Sequence, residues 1–203
     1  LDRAEKSKAP DLEKIEFIHW KKGFGKPPCN NNGICEPELG EKGNCPDCKN
    51  GGEEPPTTCY EFMGQYGKRY LKWSGLPVTY MINPSGSGLE PGVVATAITT
   101  GAEEWDSWTP SELFNDELSI GDVRYRVQDY INAISFEDYY SDPGIIGACT
   151  VWYNPATKEI VEFDIVFETN YIWANAGETN ENELGNTSVM DIQNIATHEF
   201  GHG

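Results

Sequence analysis

Apolar and polar positions divide the chain into unlike parts. The stretch DLEKIEFIHWKK (residues 11–22) is amphipathic: Ile15, Phe17, Ile18 and Trp20 give a ragged apolar face, and a helix is the expected element within residues 1–28. Residues 29–59, CNNNGICEPELGEKGNCPDCKNGGEEPPTTC, are nearly all turn formers and charges without a hydrophobic period. Cross-links or metal must hold such a segment, and KNGGEEPPTT reads as a linker. From about Tyr66 the pattern changes. Alternation in LPVTYMIN puts Val78, Tyr80 and Ile82 on one face of a strand. Pro91 can open a helix, and Val94, Ala97, Ile98, Gly101, Ala102 and Trp105 then recur at helical spacing over residues 91–107. INAISF reads as a strand with Ile134 and Phe136 inward. IIGACTVWY and IVEFDIVF read as two more, joined by the turn NPATKE. The loop NAGETNENELGN leads to a last helix, where Ser188 and Asp191 fit a capping-box-like start. Ile192, Ile195, Ala196 and Phe200 supply its apolar contacts. This order of elements indicates an α+β domain over residues 66–203, preceded by a Cys-rich segment (29–65) and an N-terminal segment (1–28).

Composition narrows the partners. The 203 residues carry 33 acids against 15 bases, a net charge of -18, which repels phosphate backbones and argues against nucleic acid. No apolar run approaches the ~20 residues of a membrane helix. The opening LDRAEKSKAP lacks both an initiator Met and a signal-peptide core, so the chain reads as a piece of a longer protein. Five of the six cysteines (29, 35, 45, 48, 59 and 149) crowd into the Cys-rich segment. A disulfide knot in an oxidising compartment is the expectation, hence a secreted protein; a zinc half-site at Cys45/Cys48 is the alternative. The odd cysteine suggests a Cys59–Cys149 tether. Asn186-Thr187-Ser188 also spells a glycosylation sequon.

The candidate chemistry lies in IATHEFGHG, residues 195–203. His198 and His202 stand one helical turn apart, a spacing from which two imidazoles converge on one zinc ion. Glu199 can then act as general base toward a zinc-bound water that attacks a peptide carbonyl. The blander readings are a structural metal pair or a surface coincidence. The only other histidine, His19, sits far upstream beside Trp20 and two lysines, and reads as a surface or partly buried residue. The third zinc ligand is therefore expected beyond Gly203, leaving the chain under-coordinated and a poor catalyst.

HEFGHG resembles the start of HExxHxxGxxH, the signature of the matrixin-like metallopeptidases of the metzincin clan. KRYLKWSGLPVTYMIN is similar to the opening strand of that domain, VVATAITTGAEEWDSWTPSELF to its first helix, and GIIGACTVWYNPATKEIVEFDIVFE to its fourth and fifth strands. The resemblance covers roughly residues 68–203. It implies a twisted five-stranded mixed sheet with long helices and a cleft beside an antiparallel edge strand. A protein or peptide substrate would add to that edge as a strand, with Gly147 and Ala148 as contacts. It also implies zinc as cofactor. The second, structural zinc of vertebrate matrixins has no histidines here to hold it. Calcium is a further candidate through Asp164, Glu168 or the acidic loop after Trp173. KPPCNNNG lacks the Arg-Cys-Gly of the family's latency switch, so Cys29 in that role is a hypothesis only. Two other functional readings stay open: a non-catalytic secreted Cys-rich binding protein with a vestigial metal motif, and another HExxH hydrolase with a distal Glu ligand.

Overall fold

A computed structural model describes residues 11–21, 70–175 and 189–203. The Cys-rich segment with Cys29, Cys45, Cys48 and Cys59, the glycosylation sequon and Ser188 all lie outside the described residues. The elements are β1 (Glu13–Trp20), β2 (Lys72–Trp73), β3 (Met81–Asn83), α1 (Pro91–Asp106), β4 (Ala133–Glu137), β5 (Ile145–Asn154), β6 (Glu159–Glu168), β7 (Ile172–Ala174), β8 (Val189–Asp191) and α2 (Ile192–Phe200). The class is α+β. One mixed sheet runs β1-β5-β6-β4-β3, with β2 also paired to β6, and β7 and β8 form a small separate ladder.

Alternation along β5 and β6 sorts side chains onto two faces. Cys149, Val151, Phe163, Ile165 and Phe167 join Ile134 and Phe136 on one face, where Val94, Ile98 and Ala102 of α1 and Ile192, Ala196 and Phe200 of α2 pack on them. Ala148 and Val166 point the other way, onto Tyr125 and Tyr140. That second face also buries Glu162, Asp164 and Glu168 completely. Backbone N–H groups reach in to bind them: Tyr130 donates to Glu162, Ala133 to Asp164 at 3.0 Å, and Tyr140 to Glu168 at 2.8 Å. The helices α1 and α2 touch through Gly101, where an added Cβ would stand 2.9 Å from the Ala196 Cβ. Trp105 Nε1 locks the contact by donating to the Thr197 carbonyl at 2.7 Å.

Five expectations are corrected. Residues 13–20 form a strand rather than a helix. Ile15, Phe17 and His19 alternate on the helix-facing side, and eight consecutive residues pair antiparallel with β5, from Glu13↔Tyr153 to His19↔Gly147 and Trp20↔Ile145. The backbone bonds available along β5 outweigh a ragged helical stripe. In consequence β5 is not an edge strand, and the sheet gains a strand beyond the five expected. The last helix begins later than the capping-box pattern suggests. Val189–Asp191 is held extended by pairing with β7, so Asp191 becomes the N-cap, accepting from the Gln193 and Asn194 N–H groups. Finally, Cys149 is a free, fully buried thiol, so the Cys59–Cys149 tether is not made. Burial first, then the nearby Glu199 and Asp164 carboxyls, push that thiol well above its ordinary range. Among the described residues no helix is long and apolar enough to cross a membrane.

Candidate metal centre

The site is built at the end of α2. Ile192, Ala196 and Phe200 face the core and fix the rotation of the helix, which leaves His198 exposed with its ring against His19 of β1. The helix then tightens: Gly201 N–H bonds the His198 carbonyl at 3.1 Å and His202 N–H the Glu199 carbonyl at 3.0 Å. Gly201 is required there, because a Cβ would lie 2.6 Å from the Trp105 ring. This turn brings the two histidines together, with Nε2 to Nε2 at 3.3 Å. Two nitrogens bound to one zinc at ~2.0–2.1 Å in tetrahedral geometry stand about 3.3 Å apart, so the pair has the span of a metal chelate. Loss of water first, then the neighbouring His19, lower both rings to about 4, with His202 adding to the shift at His198. Both imidazoles are thus neutral near pH 7, the state a metal needs, although His198 keeps solvent access.

Glu199 turns inward and is 0% exposed. One carboxylate oxygen, Oε1, lies 3.0 Å from His19 Nδ1, and Oε2 is buried without a partner. Burial raises the pKa of this carboxyl, and the His19 contact works against that rise. A buried carboxylate oxygen with no donor is costly, and it marks a position suited to a water or a cation.

His19, expected as a surface or partly buried residue, is partly buried and lies against the motif, a contact that its place in the sequence did not indicate. Its ring packs on His198 with centroids 4.2 Å apart. Two residues earlier on the same face of β1, Phe17 stacks flat on His202, also at 4.2 Å. One donor atom each from His19, His198 and Glu199 falls within 4.8 Å of the other two, the only such group of three among the described residues. The available signal was the period of two in Ile15-Phe17-His19. A lone histidine so far from the motif gave no other cue.

Of the expected substrate contacts, Gly147 adjoins the site: a Cβ there would sit 3.7 Å from Glu199 Oε1, and only 2.7 Å from the Val166 carbonyl. Ala148 faces the opposite side of the sheet and its side chain does not reach the histidines. The backbone of both is already paired, with His19 and Ile18 respectively. Asp164 and Glu168, the calcium candidates, each bury one oxygen without a partner, yet among the described residues no third acidic, His or Cys side chain joins them, and residues 176–188 of the acidic loop lie outside the described residues. No protein-family model matches the chain, and no characterised protein matches its sequence.

Proposed function

We propose that the chain carries the metal centre of a secreted zinc-dependent endopeptidase of matrixin-like type, on a metzincin-like sheet. The observation that carries this reading is the 3.3 Å approach of His198 and His202 Nε2 beside a fully buried Glu199. The same separation also suits an N–H···N bond between neutral imidazoles, and it is the buried Glu199 carboxylate beside them that favours a metal. A purely structural zinc is enclosed by four protein ligands, whereas Glu199 Oε2 is left unpartnered next to the histidines, which favours a site that handles water.

His198 and His202 would hold the ion. Zinc there supplies Lewis acidity, polarising a peptide carbonyl and acidifying water. Glu199 Oε2 takes the proton from the attacking water and returns it to the leaving amine; a carboxyl whose pKa burial has raised is better matched to both tasks near neutral pH. Gly147, which carries no side chain, adjoins Glu199, and a peptide reaches the main chain of β5 there only in place of β1.

Zinc titration of the metal-free protein against a chromophoric chelator tests the reading. One equivalent should bind, His198→Ala and His202→Ala should each weaken it at least about tenfold, and Glu199→Gln should keep the metal. The parent protein is expected to hydrolyse a quenched fluorogenic peptide slowly over long incubation, and Glu199→Gln should lose that activity. Zinc binding indifferent to both histidines, or undiminished hydrolysis by Glu199→Gln, defeats it.

A further inference from the structure

The margin of the sheet farthest from β1, at β3, holds a cleft of about 390 Å³ that shares no residue with the metal centre. A mismatch in chain length opens it. The segment leading into β3 is bridged in parallel at Val78↔Phe114 and Ile82↔Ile120, so an advance of four residues on one side is matched by six on the other. Residues 115–119 therefore bulge away. Val78 and Ile82 direct their main-chain groups at that neighbour, bonding Leu113 and Asn115, and Ser119 and Gly121, respectively. Thr79 and Met81 turn to the opposite side, where the Thr79 carbonyl accepts from Asn132 Nδ2 at 2.7 Å and the Met81 N–H donates to the Asn132 carbonyl at 2.8 Å. This alternation aims the N–H and C=O of Tyr80 into the bulge, and neither is paired with main chain among the described residues. The remaining wall is an apolar patch with one charge. Leu118, Tyr130 and Ile131 are exposed there, and Glu117 is the only charged side chain in the lining. Tyr130 presents its ring on a left-handed backbone, φ 67°, which a bulky residue rarely adopts, and its N–H is tied to Glu162. Strain of that kind gathers at ligand clamps.

We propose that this cleft binds a single amino-acid residue with a free ammonium group, an amide in place of its carboxylate and an apolar side chain. The ligand ammonium donates to the Tyr80 carbonyl while the adjacent ligand carbonyl accepts from the Tyr80 N–H. That is the two-bond ring which one residue forms with another across an antiparallel pair. Glu117 neutralises the ammonium, and Leu118, Tyr130 and Ile131 cover the side chain. The bridges at both ends leave no ladder for a longer chain to follow, and the volume lies at the small end of the roughly 300–1,000 Å³ of ligand pockets. A free carboxylate is disfavoured, because the wall holds an acid and no cation.

The test is independent of the metal. The full chain, kept in EDTA, is titrated with leucinamide and followed by nitrogen–proton correlation NMR, in which the Tyr80 amide signal should move saturably. Leucine should bind at least about tenfold more weakly, since its carboxylate meets Glu117 in a wall without cations. N-acetyl-leucinamide, which lacks the charge, should bind about two- to fivefold more weakly, the range of exposed ion pairs. Glu117→Gln should weaken leucinamide by that same factor and leave N-acetyl-leucinamide unchanged, a pattern that a general distortion of the cleft would not produce. Leucyl-leucinamide separates a free residue from the amino end of a peptide: an affinity no higher than that of leucinamide supports the single-residue cleft, and a gain of about tenfold overturns that limit. No saturable movement of the Tyr80 signal, leucine binding as tightly as leucinamide, or equal losses for both amides in Glu117→Gln each overturns the proposal and leaves the zinc reading as it stands.

Discussion

Replacing Gly101 by alanine adds one methyl group at the crossing of α1 and α2, and two opposed effects can be set against each other there. Alanine is favoured over glycine in a helix interior by about 1 kcal/mol, so on propensity alone the variant gains. The new Cβ, however, would stand 2.9 Å from the Ala196 Cβ and 3.0 Å from both the Gln193 carbonyl oxygen and the Thr197 nitrogen. Ordinary carbon contacts lie at about 3.5–4.0 Å, so α2 must retreat by more than half an ångström. Two of the three obstacles are backbone, which cannot rotate away. Overpacking of this kind costs about 1–3 kcal/mol, which outweighs the propensity gain. The expected net loss is about 1 kcal/mol, or roughly 2–4 °C in Tm for a chain of this size. Gly92, in the first turn of the same helix, has nothing within 4 Å of an added Cβ. Gly92→Ala should therefore move Tm upward, by up to about 1 kcal/mol of stability. Differential scanning calorimetry on both variants gives opposite signs if the contact distances are right. A Gly101→Ala protein as stable as its parent refutes the close crossing, and with it the fixed placement of His198.

Asp164 is pushed up to about 8 by burial in the sheet. Because this folded-state value lies above that of an unfolded aspartate, the folded form binds the proton more tightly, and stability should fall as pH rises from about 4 to about 8. Tm measured across that window should decline, less steeply in Asp164→Asn; a rise with pH contradicts the assignment. Glu16→Ala removes the acceptor shared by Tyr125, Tyr140 and Arg126, and should raise exchange at residues 13–20 by roughly tenfold, since hydrogen bonds to a charged group are worth about 1.5–3 kcal/mol before screening. Unchanged exchange would mean that the β5 ladder alone holds the strand. Cys149 should resist alkylation in the native protein and react only after unfolding, as read by peptide mass mapping; full native labelling would be inconsistent with its burial.

The parts of the molecule legible from sequence are those whose signals are local. The helical spacing from Val94 to Trp105 predicts α1, and the apolar runs at residues 145–153 and 160–167 predict β5 and β6, because long runs leave few competing conformations. The four-residue spacing of His198 and His202 is local as well, although His202 stands in the tightened turn just past α2. What escapes is non-local. In KIEFIHW a period of two and a helical stripe are both satisfied over so short a span, and only the unfilled hydrogen bonds of β5 decide between them. The role of His19 depends on that same register: a shift by one residue would turn it to the face of Glu16. At Asp191 two valid caps compete, and the pairing of Val189–Asp191 with β7 selects the later one.

The ladder between β1 and β5 carries one more consequence. Residues Ile145–Asn154 contain no charge and no proline, and they are buried along nearly their whole length. When β1 leaves, this segment becomes a bare sheet margin of the kind that recruits other chains into intermolecular β-structure. Natural sheets shield such margins with charges, prolines or bulges, and along its pairing with β1 the strand β5 has only the irregularity at Ile146, beside Gly147. The N-terminal strand is therefore a solubility device, and a protein that loses it should self-associate.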